Sequence, residues 1–192
     1  MQASQNRATA SAGTPPELVR AAFRDLHGMR LHGFALLVTL GDRARAARLT
    51  GEALAAGTAR TAELRHPERA AAWLRRRITR DAERGGRHGP AGRSAGDGPM
   101  ALQALGVDTA AFAGLSRLTI CERVALVADS IERLDRGDVA TIVGVRGSRL
   151  DRLIRHVRAH YAASVADMLD DASAADGPTA ERIQTIAARA LT

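Results

Sequence analysis

The chain has no lysine, so all 28 of its fixed cationic side chains are arginines. That absence excludes Schiff-base chemistry on a lysine amine and the phosphate-cradling G-x-x-x-x-G-K-[ST] loop, since both need an ammonium group. The single cysteine, Cys121, excludes an internal disulfide and any multi-cysteine zinc cage, and reads as a small core residue. No run approaches the roughly 20 apolar residues of a membrane helix, and the N-terminal MQASQNRATASAGTPP lacks the apolar centre of a secretory signal. A soluble, cytoplasmic chain with no membrane partner is the expectation. Aromatics make up only 3% of the 192 residues and β-branched runs are few, whereas alanine and arginine are abundant. That balance favours helices over sheets and predicts an all-α protein.

Charge is unevenly distributed. Residues 15–84 carry 14 arginines against 8 acids and residues 115–161 carry 9 against 6, two separate basic blocks suited to one polyanion. Between them, GGRHGPAGRSAGDGP (85–99) has eight Gly or Pro in fifteen positions, a composition that holds neither helix nor core. Past residue 161 the balance reverses to two arginines against five acids, so the tail should avoid nucleic acid. The predicted organisation is a disordered 1–13, a helical domain over 14–84, a flexible linker over 85–106, a second helical domain over 107–170, and an acidic tail over 171–192. That tail ends in an amphipathic helix through Ile183, Ile186, Ala187 and Leu191.

In the first block, Thr14-Pro15-Pro16-Glu17 reads as a capped helix start, followed by Val19, Ala22, Phe23 and Leu26 on one face and by Gly28 as its end. Leu31, Phe34, Ala35 and Val38 predict a second helix before Gly41. Asp42 caps a third that runs to about Leu64, with Gly51 and Gly57 as interior weak points of about 1 kcal/mol each. His66-Pro67-Glu68 opens a fourth, where Leu74, Ile78 and Ala82 form an apolar stripe and Arg76, Arg80 and Arg84 a basic one on another face. In the second block, Thr119-Ile120-Cys121-Glu122 is a capping box leading into Ile120, Val124, Val127 and Ile131 along one face. A short helix from about Asp138 puts Val139, Ile142 and Val143 inward and closes at Gly144-Val145. The next helix, from Arg146 to Tyr161, has Leu150, Leu153, Ile154, Val157 and Tyr161 on one side, with Ser148, Arg149, Arg152, Arg155 and His156 towards the other. Short helix, glycine turn and arginine-faced helix make a helix-turn-helix, whose second helix fits a major groove about 12 Å wide.

These residues resemble bacterial RNA polymerase sigma factors of the extracytoplasmic-function (ECF) type. ERVALVADSIERLDRGDVATIVGVRGSRLDRLIRHVR, from Glu122 to Arg158, is similar to the family's region 4, including its turn at Val139-Ala140-Thr141-Ile142-Val143-Gly144-Val145. HGFALLVTLGDRARAARLTGEAL and HPERAAAWLRRRITRD resemble region 2. The resemblance implies two helical domains joined by a linker, no catalysis and no cofactor or metal. It also implies a transcription initiation factor whose partners are promoter DNA and RNA polymerase core, and leaves open an anti-sigma factor as a further partner. Region 2 would dock on polymerase through Arg48, Gly51 and Glu52 and open the minus-ten element, while region 4 reads the minus-thirty-five element. DNA contacts are expected from Arg146, Ser148, Arg149, Arg152, Arg155 and His156, and from Arg75, Arg76, Arg80 and Arg84. Arginine suits this because its planar fork binds phosphate and guanine bidentately.

This chain departs from the family's pattern at several positions. Arg48 and Gly51 stand where the family usually has an acid and a glutamine, leaving Glu52 as the retained residue. Asp151 stands where lysine is frequent. Trp73 is the one aromatic in the segment where the family offers several, and it reads as a packing anchor. Two alternatives accompany the sigma reading: a DNA-binding relative that no longer recruits polymerase, and a sigma or anti-sigma interaction module that never touches DNA. Gly92-Arg93-Ser94-Ala95-Gly96 matches G-x-S-x-G but lies in the Gly/Pro-rich segment rather than between strand and helix, so a hydrolase is not expected. His156 and His160 are four apart without the intervening glutamate of a zinc protease, and no metal site is expected there.

Overall fold

The computed structural model describes residues 16–64, 66–86 and 98–176, and within them every regular element is helical. The helices are α1 (Pro16–Val38), α2 (Arg43–Thr58), α3 (Pro67–Gly86), α4 (Gly98–Gln103), α5 (Thr109–Arg117), α6 (Ile120–Leu126), α7 (Arg136–Val143) and α8 (Ser148–Asp176). A π-helical stretch, Val127–Ile131, prolongs α6. The all-α expectation holds. None of these helices is long and apolar enough to cross a membrane.

Several local signals set boundaries as the sequence suggests. Asp42 caps α2 by accepting from the Arg45 N–H at 2.9 Å. Thr119 and Glu122 form a complete capping box, the Glu122 carboxylate accepting from the Thr119 N–H at 2.8 Å. Asp135, rather than a residue nearer Asp138, caps α7, which ends at Gly144 in the left-handed conformation (φ 83°). An L side chain there would be strained, and its Cβ would also meet the Arg76 guanidinium at 2.8 Å.

Other boundaries differ. Gly28 does not end a helix: α1 runs unbroken to Val38. Its buried face follows Phe23, His27, Leu31, Phe34 and Val38, while Val19 and Leu26 are exposed. The cost of one glycine, about 1 kcal/mol, is smaller than what burying the following Leu and Phe contributes, about 1.5–3 kcal/mol each. Helix α2 ends at Thr58, not near Leu64. The end of the expected linker forms α4, with Ala101 and Leu102 buried. Helix α8 continues to Asp176, past residue 170 where the second domain was expected to give way to the tail. Thr14, most of the Gly/Pro-rich segment and the C-terminal Ile183–Leu191 segment lie outside the described residues.

Helices α1, α2 and α3 pack around Leu31, Phe34, Leu49, Leu74 and Ile78, while α5 and α6 pack on α8 around Leu115, Val124 and Val157. These two halves share one apolar core, because α3 also packs along α7 and α6. Arg123, buried in α6, reaches across to the Val38 carbonyl at the end of α1 and also donates to the Leu118 carbonyl at 2.9 Å. A guanidinium satisfies the orphan carbonyls of a helix C-terminus and complements its partial negative charge. Burial, reinforced by Arg45, pushes the Arg123 pKa down to about 10, still well above neutrality.

Candidate nucleic-acid interface

Leu150, Ile154 and Val157 are buried along one face of α8 and anchor it to the core. The opposite face follows from that anchoring: Ser148, Arg149, Arg152, Arg155 and His156 are exposed, as is Arg146 in the turn. Among the described residues, Arg146, Arg149 and Arg152 have neither an acidic partner nor a hydrogen bond. Arg155 leans on the carbonyl of Asp151 at 3.4 Å. Asp151 itself is paired with Arg136, and Asp129 accepts from Arg158 at 2.7 Å and pairs with Arg136 at 3.3 Å. Asp129 and Asp151 are therefore engaged by Arg136 and Arg158, and the guanidinium groups of Arg146, Arg149 and Arg152 carry no acidic partner. Beside them a groove between α3 and the helix-turn-helix is lined by Arg69, Trp73, Arg136, Arg146 and Leu150. Trp73 is half-buried against the core with the Arg60 guanidinium 5.8 Å from its ring centre.

The basic stripe of α3 is divided. Arg75 is buried, and its fork grips Glu132 through Nε at 2.6 Å and Nη2 at 2.7 Å, with the guanidinium 5.7 Å from the Phe34 ring centre. Arg76 donates to the Thr141 carbonyl of α7 at 2.7 Å. The expectation that Arg75 and Arg76 offer their guanidinium groups to DNA is corrected by this geometry: both fasten α3 to the second half. The 3.6-residue period identified a basic face but not the element packed against it. Arg80 and Arg84 are exposed, Arg84 pairing with Asp81 at 3.1 Å. Arg48, Gly51 and Glu52 share the exposed face of α2, where Arg48 and Glu52 form an i,i+4 pair at 3.1 Å.

Three features were not foreseen. Glu132 and Arg123 join the halves, and their long-range partners leave no sequence signal. Glu122, foreseen only as a cap, also faces His156 and His160. His27, buried beneath α3, has its pKa lowered by burial and by the neighbouring Arg75. Cys121 is half-buried, and its thiol is pushed up by burial and by Glu83 and Glu122, so it is a poor nucleophile at neutral pH. Comparisons with protein-family models, curated proteins and solved structures each give no match.

Proposed function

We propose that this chain is a sigma-like transcription initiation factor that holds RNA polymerase core at chosen promoters, with α8 entering the major groove. The observation that carries the reading is the α7–Gly144–α8 unit: a short helix, a left-handed glycine turn that holds Arg146, and a long helix with Arg149 and Arg152, all three arginines exposed and unpaired. Arginine contacts of this kind neutralise phosphates and release counterions, while the fork of a groove-facing arginine discriminates guanine. The exposed Arg48-Gly51-Glu52 face of α2 is the surface assigned to polymerase. No bond chemistry is asked of the chain, and its site of action is the cytoplasm.

A second reading has one observation in its favour. Because Arg75 and Arg76 are engaged with Glu132 and Thr141, α3 offers an opened strand fewer guanidinium groups than its sequence suggests. A sigma-like DNA-binding regulator that does not recruit polymerase fits that arrangement. Pull-down of core polymerase by the full chain separates the two: the first reading expects capture that is lost in Glu52→Arg, and the second expects none. Transcription from a promoter library with core polymerase then reports the sequence read. Capture that is indifferent to Glu52→Arg removes the assigned contact.

A further inference from the structure

We propose that Glu122, His156 and His160 form a binding site for one divalent transition-metal ion of the zinc class, joining the start of α6 to the middle of α8. The site stands independently of the promoter reading. His156 and His160 are four apart on α8, a spacing that puts two imidazoles on one helical face, and their ring centres are 6.0 Å apart. The third donor comes from another element. The Glu122 carboxylate is held by the capping box, its Oε2 accepting from the N–H and the hydroxyl of Thr119, each at 2.8 Å. Oε1 is left pointing at the histidines, 3.4 Å from His156 Nε2 and 3.8 Å from His160 Nδ1, and the three donor atoms lie within 4.8 Å of one another.

That spacing suits one ion. Zinc bonds of about 2.0–2.2 Å to nitrogen and oxygen put neighbouring donors of a tetrahedral site about 3.3–3.5 Å apart, so small side-chain rotations close the set. His160 Nδ1 is buried and has no hydrogen-bond partner, since 3.8 Å is too long for one. An unprotonated Nδ1 directed at an ion removes that deficit. Capping-box hydrogen bonds to Oε2 provide the outer support that orients a ligating carboxylate. Two imidazole nitrogens and one carboxylate select zinc, cobalt, nickel or copper over magnesium or calcium, which take oxygen donors. With three protein donors, the remaining position falls to water or to a donor from a bound partner.

The test is a titration of the full-length chain with cobalt(II) chloride at pH 7.5, followed by visible absorption, with zinc chloride and magnesium chloride as competitors and circular dichroism as a control for folding. One cobalt per chain with tetrahedral-type absorption, displaced by zinc and not by magnesium, is expected. His156→Ala and His160→Ala each remove a direct donor and should weaken zinc binding by at least the roughly 10- to 100-fold that loss of an outer-shell partner costs. Both side chains are partly exposed, so metal-free helix content should not change. Glu122→Gln preserves an acceptor for the capping box but removes the charged donor, and should weaken zinc binding by about tenfold or more at unchanged metal-free helicity. Binding that survives both histidine substitutions at full strength, cobalt displaced by magnesium, or no binding at all would overturn the proposal. The contact among the three side chains would then be only a histidine–carboxylate pairing.

Discussion

Glu132→Leu should destabilise the chain far more than its partial burial suggests, because it strands the Arg75 guanidinium between the two halves. Arg75 and Glu132 have side chains only 7% and 18% exposed and meet through two parallel hydrogen bonds of 2.6 and 2.7 Å. Without Glu132, Arg75 keeps one bond to the Ala71 carbonyl at 3.2 Å and the face of Phe34, neither of which neutralises its charge. Removing one member of a buried pair costs about 3–5 kcal/mol, whereas replacing both with apolar groups of similar volume is often nearly neutral. In a chain of this size each kcal/mol moves the melting temperature by about 2–4 °C, so a fall of about 10 °C is expected for Glu132→Leu. Arg75→Met strands Glu132 less severely, since that carboxylate lies nearer solvent. The combined Arg75→Met/Glu132→Leu chain should melt within a few degrees of the parent. Urea and thermal unfolding of all four chains give the coupling directly. Losses that simply add in the double variant, or a Glu132→Leu loss under about 1 kcal/mol, would refute the interlock between the halves.

Other perturbations read other parts of the molecule. Replacing Arg149, Arg152 and Arg155 together with alanine should leave helix content intact and lower the slope of log affinity for duplex DNA against log salt by about 2–3, at roughly 0.9 per phosphate contact; an unchanged slope removes α8 from the interface. Gly144→Ala should cost about 1–2 kcal/mol in thermal unfolding from its positive φ alone, with displacement of Arg76 adding to it; stability equal to the parent would exclude the left-handed turn. His27 has a folded-state pKa below its unfolded value, so its contribution to stability is present above the ordinary histidine value of about 6.5 and is lost as pH falls through the lower, folded value. His27→Phe should therefore flatten the fall in melting temperature below pH 6.5, and a fall of undiminished steepness would place the proton elsewhere.

Capping chemistry was legible in the chain because it is local. Asp42, the Thr119–Glu122 box and Gly144 act over at most four residues, and each does what its residue type predicts. The apolar stripe Leu74, Ile78 and Ala82 was equally plain, and all three are fully buried. Gly57 looked like a flaw in α2. It is a place where α1 and α3 press against α2, since a Cβ there would lie 2.9 Å from atoms of both Phe23 and Leu74. Periodicity says which face of a helix is covered but not by what. The division of the α3 arginines, with Arg75 and Arg76 turned inward and Arg80 outward, therefore could not be read in advance. The same limit hid Glu122 from His156 and His160, which stand 34 and 38 positions further along the chain.

The widened turn at Val127–Ile131 has a consequence for how the two halves are matched. Each residue of a helix advances the side chains by about 100°, so one surplus residue in a turn changes the phase of everything after it. Ile131, on the apolar face of an ideal helix continued from Val124 and Val127, is instead half exposed. The following Glu132, whose N–H bonds back to the Val127 carbonyl at 2.8 Å, arrives opposite Arg75. The turn thus acts as a key cut for one lock: tightening it to an ordinary α-turn with every residue kept would swing the carboxylate away from α3 and bring Ile131 round in its place, uncoupling the halves without altering their amino-acid content, whereas deleting one residue within it would leave the carboxylate facing Arg75.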